Sequence, residues 1–225
     1  MDPKQRAAEA ALEHVRDGTV IGLGTGSTAE LFLVVLADAL KSGRRRDVTG
    51  VPTSERTERR ARELAIPLTT LAHAGQLDLD VDGADEVSPS LDLIKGLGGA
   101  LLREKIVAQS SRSMIVIADA SKRVEKLGTR SPLPVEVAKF EHEATAAFLE
   151  SLGCRAVLRR SFDGAYVTDN GNYIYDCRFE RGIGDPALLN LALSTRAGVV
   201  ETGLFLGMAK VAIIAGADGV DTLKR

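Results

Sequence analysis

The sequence has few of the residues on which disulfide frameworks, zinc sites and histidine-based catalysis depend. Its 225 residues include two cysteines, three histidines and no tryptophan. Cys154 and Cys177 are too few for a disulfide scaffold and lack CxxC spacing, so we expect two small buried hydrophobic residues. His14, His73 and His142 are scattered along the chain, which gives no support to a Ser-His-Asp triad or a histidine-rich metal site.

Long hydrophobic runs and a large excess of one charge are also lacking. No stretch of about 18 apolar residues occurs, and no apolar segment of the signal-peptide kind follows the amino terminus. A net charge of -2 creates no field that would gather nucleic acid or an acidic membrane. We therefore expect a soluble, cytoplasmic protein that binds a small molecule, with no nucleic-acid or membrane partner.

The first half of the chain predicts a parallel sheet covered by helices. Its length favours one main domain with a smaller companion. Apolar strand-like runs alternate with helical stretches, which is typical of an α/β domain whose ligands bind at the carboxyl edge of the sheet. The predicted strands cover 19–23, 48–51, 77–81 and 114–118, and the predicted helices cover 27–42, 55–64 and 101–110.

The second half follows a different rhythm, which begins after the dense turn signals at 128–134. The predicted order is strand, helix, two strands, helix and strand, which is the split βαβ pattern of a ferredoxin-like α+β domain. These elements cover 135–138, 143–152, 155–159, 173–178, 186–194 and 198–205. For the tail we expect a strand over 210–215 and a short helix over 219–224. The predicted domains are thus residues 1–129 plus 206–225, and residues 130–205.

A glycine-rich turn, GLGTGST, lies at residues 22–28 between a predicted strand and a predicted helix. Glycines there let backbone N–H groups approach an anion at the start of the helix, so the turn has the form of a phosphate cradle. Ser27 stands where the dinucleotide fingerprint requires its third glycine, and the lysine of a P-loop is absent. The alternative is a tight turn that is merely capped by Ser27 or Thr28.

An acidic segment, DLDVDG, follows at residues 78–83. It matches the opening of a calcium-binding EF-hand loop, but Pro89 occupies the position at which that loop needs a glutamate. We interpret Asp82 and Asp85 as two carboxylates in a turn at the end of a strand, close enough to share a substrate. Alternatively, both only cap the turn.

A second glycine-rich turn, KGLGGA, begins at Lys95 and leads into a predicted helix. Glu104 on this helix shares a largely apolar face with residues three and four positions away, so it is a candidate general base. A salt bridge with Arg103 or Lys105 is the alternative. Lys122, after the strand at 114–118, could reach the same sheet edge or could simply be solvated.

Together these segments resemble the ribose-5-phosphate isomerase family of the A type. The segments that carry the resemblance are GTGST at 24–28, DGADE at 82–86, the glycine-rich turn and REK at 95–105, and ASK at 120–122. PLPVE at 132–136, TDNGN at 168–172 and VVETGLF at 199–205 extend it over nearly the whole chain. Many members have glycine where this chain has Leu97, which leaves a backbone contact at that position possible.

The resemblance implies an aldose-ketose isomerase of the non-oxidative pentose phosphate pathway, which converts ribose 5-phosphate to ribulose 5-phosphate. It also implies a Rossmann-like catalytic domain, a homodimer or dimer of dimers, and no cofactor or metal. The catalytic residues would be Glu104 as proton acceptor, Asp82, Asp85 and Lys95. The substrate-binding residues would be Thr25, Gly26, Ser27, Thr28, Asp82, Gly83, Ala84, Asp85, Lys95, Gly96, Leu97, Gly98 and Lys122.

The chemistry of such a reaction fits these residue types. A base that reaches both C2 and C1 suits Glu104, and the developing oxyanion suits Lys95 or the adjacent backbone N–H groups. Asp82 and Asp85 would bind sugar hydroxyls and move a proton during ring opening. The turn at 24–28 would hold the phosphate and supply binding energy remote from the reacting carbons.

Two other classes of protein remain to be separated by experiment. A regulator that senses sugar phosphates would need a basic helix-turn-helix segment, for which the short start of the chain has no room. An isomerase that uses a metal and a hydride shift would need clustered histidine and carboxylate ligands.

Overall fold

A computed structural model of the chain describes residues 2–217 and 219–225. The chain divides into two compact units. The first comprises the chain up to Ala84, Arg103–Lys122 and Gly207–Arg225, and the second comprises Asp85–Leu102 and Arg123–Leu206. This division differs from the one predicted from the sequence, because 85–102 and 123–129 group with the smaller, second unit.

The helices and strands are as follows. The helices are α1 (Pro3–Leu12), α2 (Ser27–Lys41), α3 (Glu55–Glu63), α4 (Leu71–Ala74), α5 (Leu101–Gln109), α6 (His142–Ser151) and α7 (Pro186–Ser194), with a 3-10 turn at Ala120–Lys122. The strands are β1 (Val20–Leu23), β2 (Thr49–Pro52), β3 (Leu79–Gly83), β4 (Glu86–Val87), β5 (Leu93–Ile94), β6 (Met114–Asp119), β7 (Leu133–Val137), β8 (Arg155–Leu158), β9 (Arg160–Ser161), β10 (Gly164–Ala165), β11 (Tyr173–Arg178), β12 (Val199–Thr202), β13 (Leu204–Phe205), β14 (Ala209–Ala215) and β15 (Val220–Lys224).

The first unit is built on a six-stranded sheet in the order β15-β14-β6-β3-β1-β2. All neighbouring pairs are parallel except β14 and β15. Helices α1 and α2 pack against each other and against this sheet. The fully buried Phe32 and Leu36 of α2 belong to one core with Ile21, Val81 and Ile117 of the strands. This is the predicted α/β architecture, and it brings the carboxyl ends of β1, β3 and β6 to one edge.

Two segments near the chain ends differ from the prediction. Residues 220–224 form β15 and pair antiparallel with β14, so the predicted helix over 219–224 is wrong. The β-branched Val220 and Thr222 suit a strand, and the outer side of β14 offers unpaired backbone groups. Helix α1 was not predicted, and the Asp2 side chain caps it by accepting the Lys4 N–H at 3.3 Å.

The second unit contains a four-stranded sheet in the order β12-β7-β11-β8, in which all neighbours are antiparallel. With α6 and α7 this is the predicted ferredoxin-like fold. Val135 and Val137 of β7 share its core with Cys154 and Cys177, whose predicted burial is thereby confirmed. A smaller sheet, β13-β5-β4, joins residues 86–94 to 204–205, which is why 85–102 groups with this unit.

Candidate active site

The turn between β1 and α2 has the geometry of an anion site. Gly26 precedes the first residue of α2 with φ of 122°, in a conformation that favours glycine, and no side chain caps the helix there. A Cβ at Gly24 would lie 2.2 Å from Oδ1 of Asp82, so the backbone can approach that closely only at a glycine. The Ser27 side chain is exposed, and Thr28 is 8% exposed. The N–H groups at the start of a helix of this length favour an anion.

Asp82 ties this turn to the end of β3. Its Oδ1 accepts the N–H of Thr25 at 2.9 Å and the N–H of Gly83 at 2.7 Å. The residue is completely buried. Asp82 therefore fixes the backbone of two segments that the sequence analysis assigned to the substrate.

The Thr25 side chain has a role that the sequence analysis missed. Its hydroxyl lies 2.9 Å from that of Thr53, 2.8 Å from that of Ser54 and 2.9 Å from that of Thr57. Thr57 also donates to the Gly24 carbonyl at 3.0 Å. The hydroxyl cluster thus anchors the turn to the start of α3. A signal was present in the sequence, because serine is a preferred residue immediately before a helix, and the Ser54 side chain does accept the Thr57 N–H.

Lys4 is a second residue that the sequence analysis missed. Its Nζ donates to the Ser27 hydroxyl at 2.8 Å, so α1 brings a positive charge to the start of α2. The electrostatic influence of Lys4 also reaches Asp119, at the end of β6. A lysine in the fourth position gives no signal by itself, and its placement depends on α1, which the sequence analysis did not predict.

Asp119 organises the 3-10 turn that carries Lys122. Partial burial acts to raise the pKa of Asp119, but hydrogen bonds from the Ser121 hydroxyl and backbone N–H, with the charges of Lys122 and Lys4, outweigh it. The net effect is a pKa below the usual range of an aspartate. The carboxylate therefore stays ionised, and it holds the turn on which Lys122 lies.

Glu104 lies in the first turn of α5 and is 3% exposed. Val107 and Ala108 on the same helix are also buried. Its neighbour Arg103 reaches Glu55 of α3 at 3.6 Å. A carboxylate with this little access to water suits proton transfer to carbon, because few water molecules compete for the proton.

In the second unit, the turn that begins at Lys95 is fixed at several points. The Lys95 N–H donates to the Gly203 carbonyl at 2.9 Å, and its ammonium lies 5.4 Å from the centre of the Phe205 ring. The Leu97 N–H donates to Oδ2 of Asp85 at 2.9 Å, whereas the Leu97 side chain is 41% exposed. Because the contact uses the backbone, leucine in place of glycine leaves it intact.

The glutamate of the DGADE segment has a structural task. Glu86 is completely buried, and its carboxylate accepts N–H groups from Gly128 at 2.6 Å, Arg130 at 2.7 Å and Ser131 at 2.6 Å. It thereby shapes the loop before β7. The residue types alone gave no indication of this partnership, which spans more than forty positions.

The TDNGN segment is explained in the same way. Oε1 of the buried Glu136 on β7 accepts the Thr168 hydroxyl at 2.9 Å, the Asn170 amide at 3.2 Å and the Asn172 amide at 2.9 Å. These bonds fold the segment against the four-stranded sheet. The residues of the TDNGN segment therefore stabilise the second unit.

The candidate site residues are divided between the two units. The first unit holds Thr25, Gly26, Ser27, Thr28, Asp82, Gly83, Ala84, Glu104 and Lys122, and the second holds Asp85, Lys95, Gly96, Leu97 and Gly98. Among residues 2–217 and 219–225, no group of three or more histidine, cysteine, aspartate or glutamate side chains could hold a metal ion. No helix in the same residues is long and apolar enough to cross a membrane.

Comparison with known proteins gives one consistent answer. The family model described as ribose 5-phosphate isomerase A (phosphoriboisomerase A) matches residues 49–219. A ribose-5-phosphate isomerase A from Roseiflexus sp. (strain RS-1) is 57% identical over 96% of this chain and 93% of its own. The solved ribose 5-phosphate isomerase from Plasmodium falciparum is 41% identical, with a TM-score of 0.96 over 100% of this chain and 99% of its own. A D-ribose-5-phosphate isomerase solved in complex with phospho-erythronic acid is 40% identical, with a TM-score of 0.96 over 100% of this chain and 100% of its own. The chain belongs to the ribose 5-phosphate isomerase A family.

Proposed function

We propose that this chain interconverts ribose 5-phosphate and ribulose 5-phosphate through an enediolate, with Glu104 as the proton shuttle. Family membership over nearly the whole chain carries the reaction. The observation in the site that best supports the shuttle is the nearly complete burial of Glu104 in the first turn of α5.

The phosphate of the substrate binds at the turn between β1 and α2 in this proposal. Three features support it: the N–H groups at the start of α2, the Ser27 hydroxyl and the Lys4 ammonium 2.8 Å from that hydroxyl. Lys122, on the turn held by Asp119, adds a second positive charge. Binding energy gained at the phosphate is remote from the reacting carbons and can be used to orient them.

Proton transfer then proceeds in two steps. Glu104 removes the proton from C2 of the open-chain aldose, the C2 electron pair forms the C1–C2 double bond, and the carbonyl oxygen on C1 takes the negative charge. Glu104 then returns the proton to C1, the proton of the C2 hydroxyl passes to the oxygen on C1, and the oxygen on C2 becomes the carbonyl of the ketose. One carboxylate serves both carbons because they are neighbours.

Lys95 stabilises the charge on the oxygens of the enediolate. A buried ammonium acts strongly there because few water molecules screen it. Asp82 and Asp85 bind sugar hydroxyls and assist ring opening, and the bond from the Leu97 N–H supports a fixed orientation of Asp85. Because carboxylates and an ammonium supply proton transfer and charge stabilisation, the reaction requires no cofactor or metal.

The assembly and cellular location are further parts of this proposal. Leu188 and Leu191 on α7 are 65% and 60% exposed, which supports a homodimer or dimer of dimers. A phosphorylated sugar does not cross membranes readily because of its charge, which supports a cytoplasmic location.

A coupled assay for ribulose 5-phosphate formation from ribose 5-phosphate tests the function directly. We expect turnover that is unchanged by a chelator. Sugar-phosphate binding without turnover in a folded sample would indicate a regulator. Reversible loss of turnover on chelation, restored by one metal, would indicate a metal-dependent hydride shift.

A further inference from the structure

The side chain of Arg159, just after β8, joins two parts of the second unit. Its Nε and Nη2 donate to the two carboxylate oxygens of Asp176, at 3.0 and 2.5 Å. Its Nη1 donates to the carbonyl oxygens of Gly96 at 3.0 Å and Leu97 at 3.1 Å. The Arg159 and Asp176 side chains are 13% and 24% exposed, so both are largely withdrawn from water.

This arrangement fixes the orientation of two peptide groups in the turn that begins at Lys95. The guanidinium is planar and rigid, and the two-point contact with Asp176 sets its plane. Nη1 is thereby aimed at two successive carbonyls. Gly96 has φ of 102°, a conformation in which glycine is otherwise mobile, so the turn needs such an external restraint.

Tyr166 restrains the same turn from another point. Its ring centre lies 5.7 Å from Cζ of Arg159. A Cβ at Gly99 would lie only 2.1 Å from the Tyr166 hydroxyl oxygen, so the tyrosine packs directly on the backbone of the turn. Burial, with the charge of Asp169, raises the pKa of Tyr166, which keeps its hydroxyl neutral.

We propose that Arg159 is a positioning residue for the isomerase reaction: held by Asp176 and Tyr166, it fixes the peptide planes of the substrate-binding turn without touching the substrate. This inference rests on the proposed function, in which Lys95 through Gly98 bind the sugar. The Gly96–Leu97 peptide group links the restraint to chemistry, since its carbonyl oxygen on Gly96 accepts from Arg159 and its N–H on Leu97 donates to Asp85. A shift of this peptide would therefore misplace Asp85 and Lys95 relative to the reacting carbons.

The test compares three variants, Arg159→Met, Asp176→Asn and Arg160→Met. Arg160 is the adjacent, exposed arginine and serves as the matched control. Misplacement by about 1 Å can cost on the order of 10²-fold in rate, so kcat should fall by about that factor in Arg159→Met. Asp176→Asn keeps one acceptor oxygen for the guanidinium, so Arg159 loses only part of its support and kcat should fall by less than about fivefold. Arg160→Met should match the wild type.

Competitive inhibition separates positioning from general damage. Inorganic phosphate probes the first unit, so its inhibition constant should stay within about twofold of the wild type in Arg159→Met. Phospho-erythronic acid carries a carboxylate in addition to its phosphate, and in the proposed arrangement that carboxylate would lie near the turn at Lys95, so its affinity should fall in parallel with kcat. If Arg159→Met does not fold, Arg159→Lys carries the same test, because an ammonium cannot make all four bonds.

Equal losses in Arg159→Met and Asp176→Asn, or an equal loss of both inhibitors, would overturn the positioning role and indicate a structural ion pair. An Arg159→Met variant whose kcat equals that of the wild type would also overturn the positioning role. The proposed function would still stand in that case, because the wild-type protein would be active. Absence of turnover in the wild type would instead contradict the proposed function. The affinities of the two inhibitors could then be measured by direct binding, and they would still decide the role of Arg159 in the turn.

Discussion

Oδ1 of Asp82 accepts the backbone N–H of Thr25 at 2.9 Å. One residue at the end of β3 thus holds the turn at the end of β1 in place. The same oxygen accepts the Gly83 N–H, so a candidate catalytic carboxylate also serves as an acceptor for the backbone around it. The backbone anchoring by Asp82 can be separated from its catalytic role by substitution with asparagine, because the amide oxygen still accepts hydrogen bonds but carries no negative charge.

Asp82→Ala and Asp82→Asn should therefore differ in stability but not in their loss of activity. Alanine leaves two N–H groups without their acceptor, which should lower the free energy of unfolding by about 1–3 kcal/mol. Asparagine can retain these bonds and should cost less, although kcat falls in both. Urea denaturation with steady-state kinetics measures this, and equal stability of the two variants would contradict the anchoring role.

Gly26→Ala should weaken phosphate binding through the backbone alone. An added Cβ at Gly26 meets no atom within 4 Å, but the φ of 122° strains any other residue. Gly43 is a matched control, since it has φ of 74° and equally open surroundings beyond the far end of α2. Both alanine variants should lose about 1–3 kcal/mol of stability. Only Gly26→Ala should raise the inhibition constant of inorganic phosphate, and an unchanged constant would locate the phosphate elsewhere.

Lys4→Met should also weaken phosphate binding. A hydrogen bond to a charged group contributes about 1.5–3 kcal/mol, which corresponds to roughly a tenfold to hundredfold loss in affinity. Lys41→Met, at the opposite end of α2, removes the same charge from an exposed position and should leave affinity unchanged. Titration of inorganic phosphate against activity distinguishes them, and equal effects would count against a local role for Lys4.

The elements on which the candidate site residues lie could be predicted from the sequence because the patterns that indicate them are short and local. The glycine-rich turns, the strand end with Asp82 and Asp85, and the helix that carries Glu104 each follow from patterns within about ten residues. Lys4 and the Thr53 hydroxyl could not be assigned in this way. An alanine-rich helix such as α1 has a weak apolar pattern, and the partners of Thr25 lie about thirty positions away.

The tail shows why a short segment can be misread. Residues 220–224 carry no periodic pattern long enough to separate a helix from a strand. Their pairing with β14 decides the outcome, and that partner is available only in the folded unit. The division into units has a similar cause, since β5 pairs with β4 and also with β13, which lies more than one hundred residues later.

Asp119 should contribute to stability in a pH-dependent way. Its pKa is lowered in the folded protein, so its contribution is fully present above the ordinary aspartate pKa of about 3.9 and is lost as the pH falls through the folded value. The difference in unfolding free energy between the wild type and Asp119→Asn should thus be constant near neutrality and shrink below about pH 4. Urea denaturation across this range measures it, and a difference that persists unchanged in acid would contradict the assignment.

The kcat of Glu104→Gln tests the central claim most directly. Glutamine has nearly the same shape and retains hydrogen-bonding capacity, so folding and KM should change little, whereas the proton acceptor is lost. General base catalysis contributes roughly 10²- to 10⁴-fold, and kcat should fall by at least the lower value. Glu150→Gln, at an exposed position of α6, should keep the wild-type kcat. A Glu104→Gln enzyme with near-normal kcat would contradict the proton shuttle.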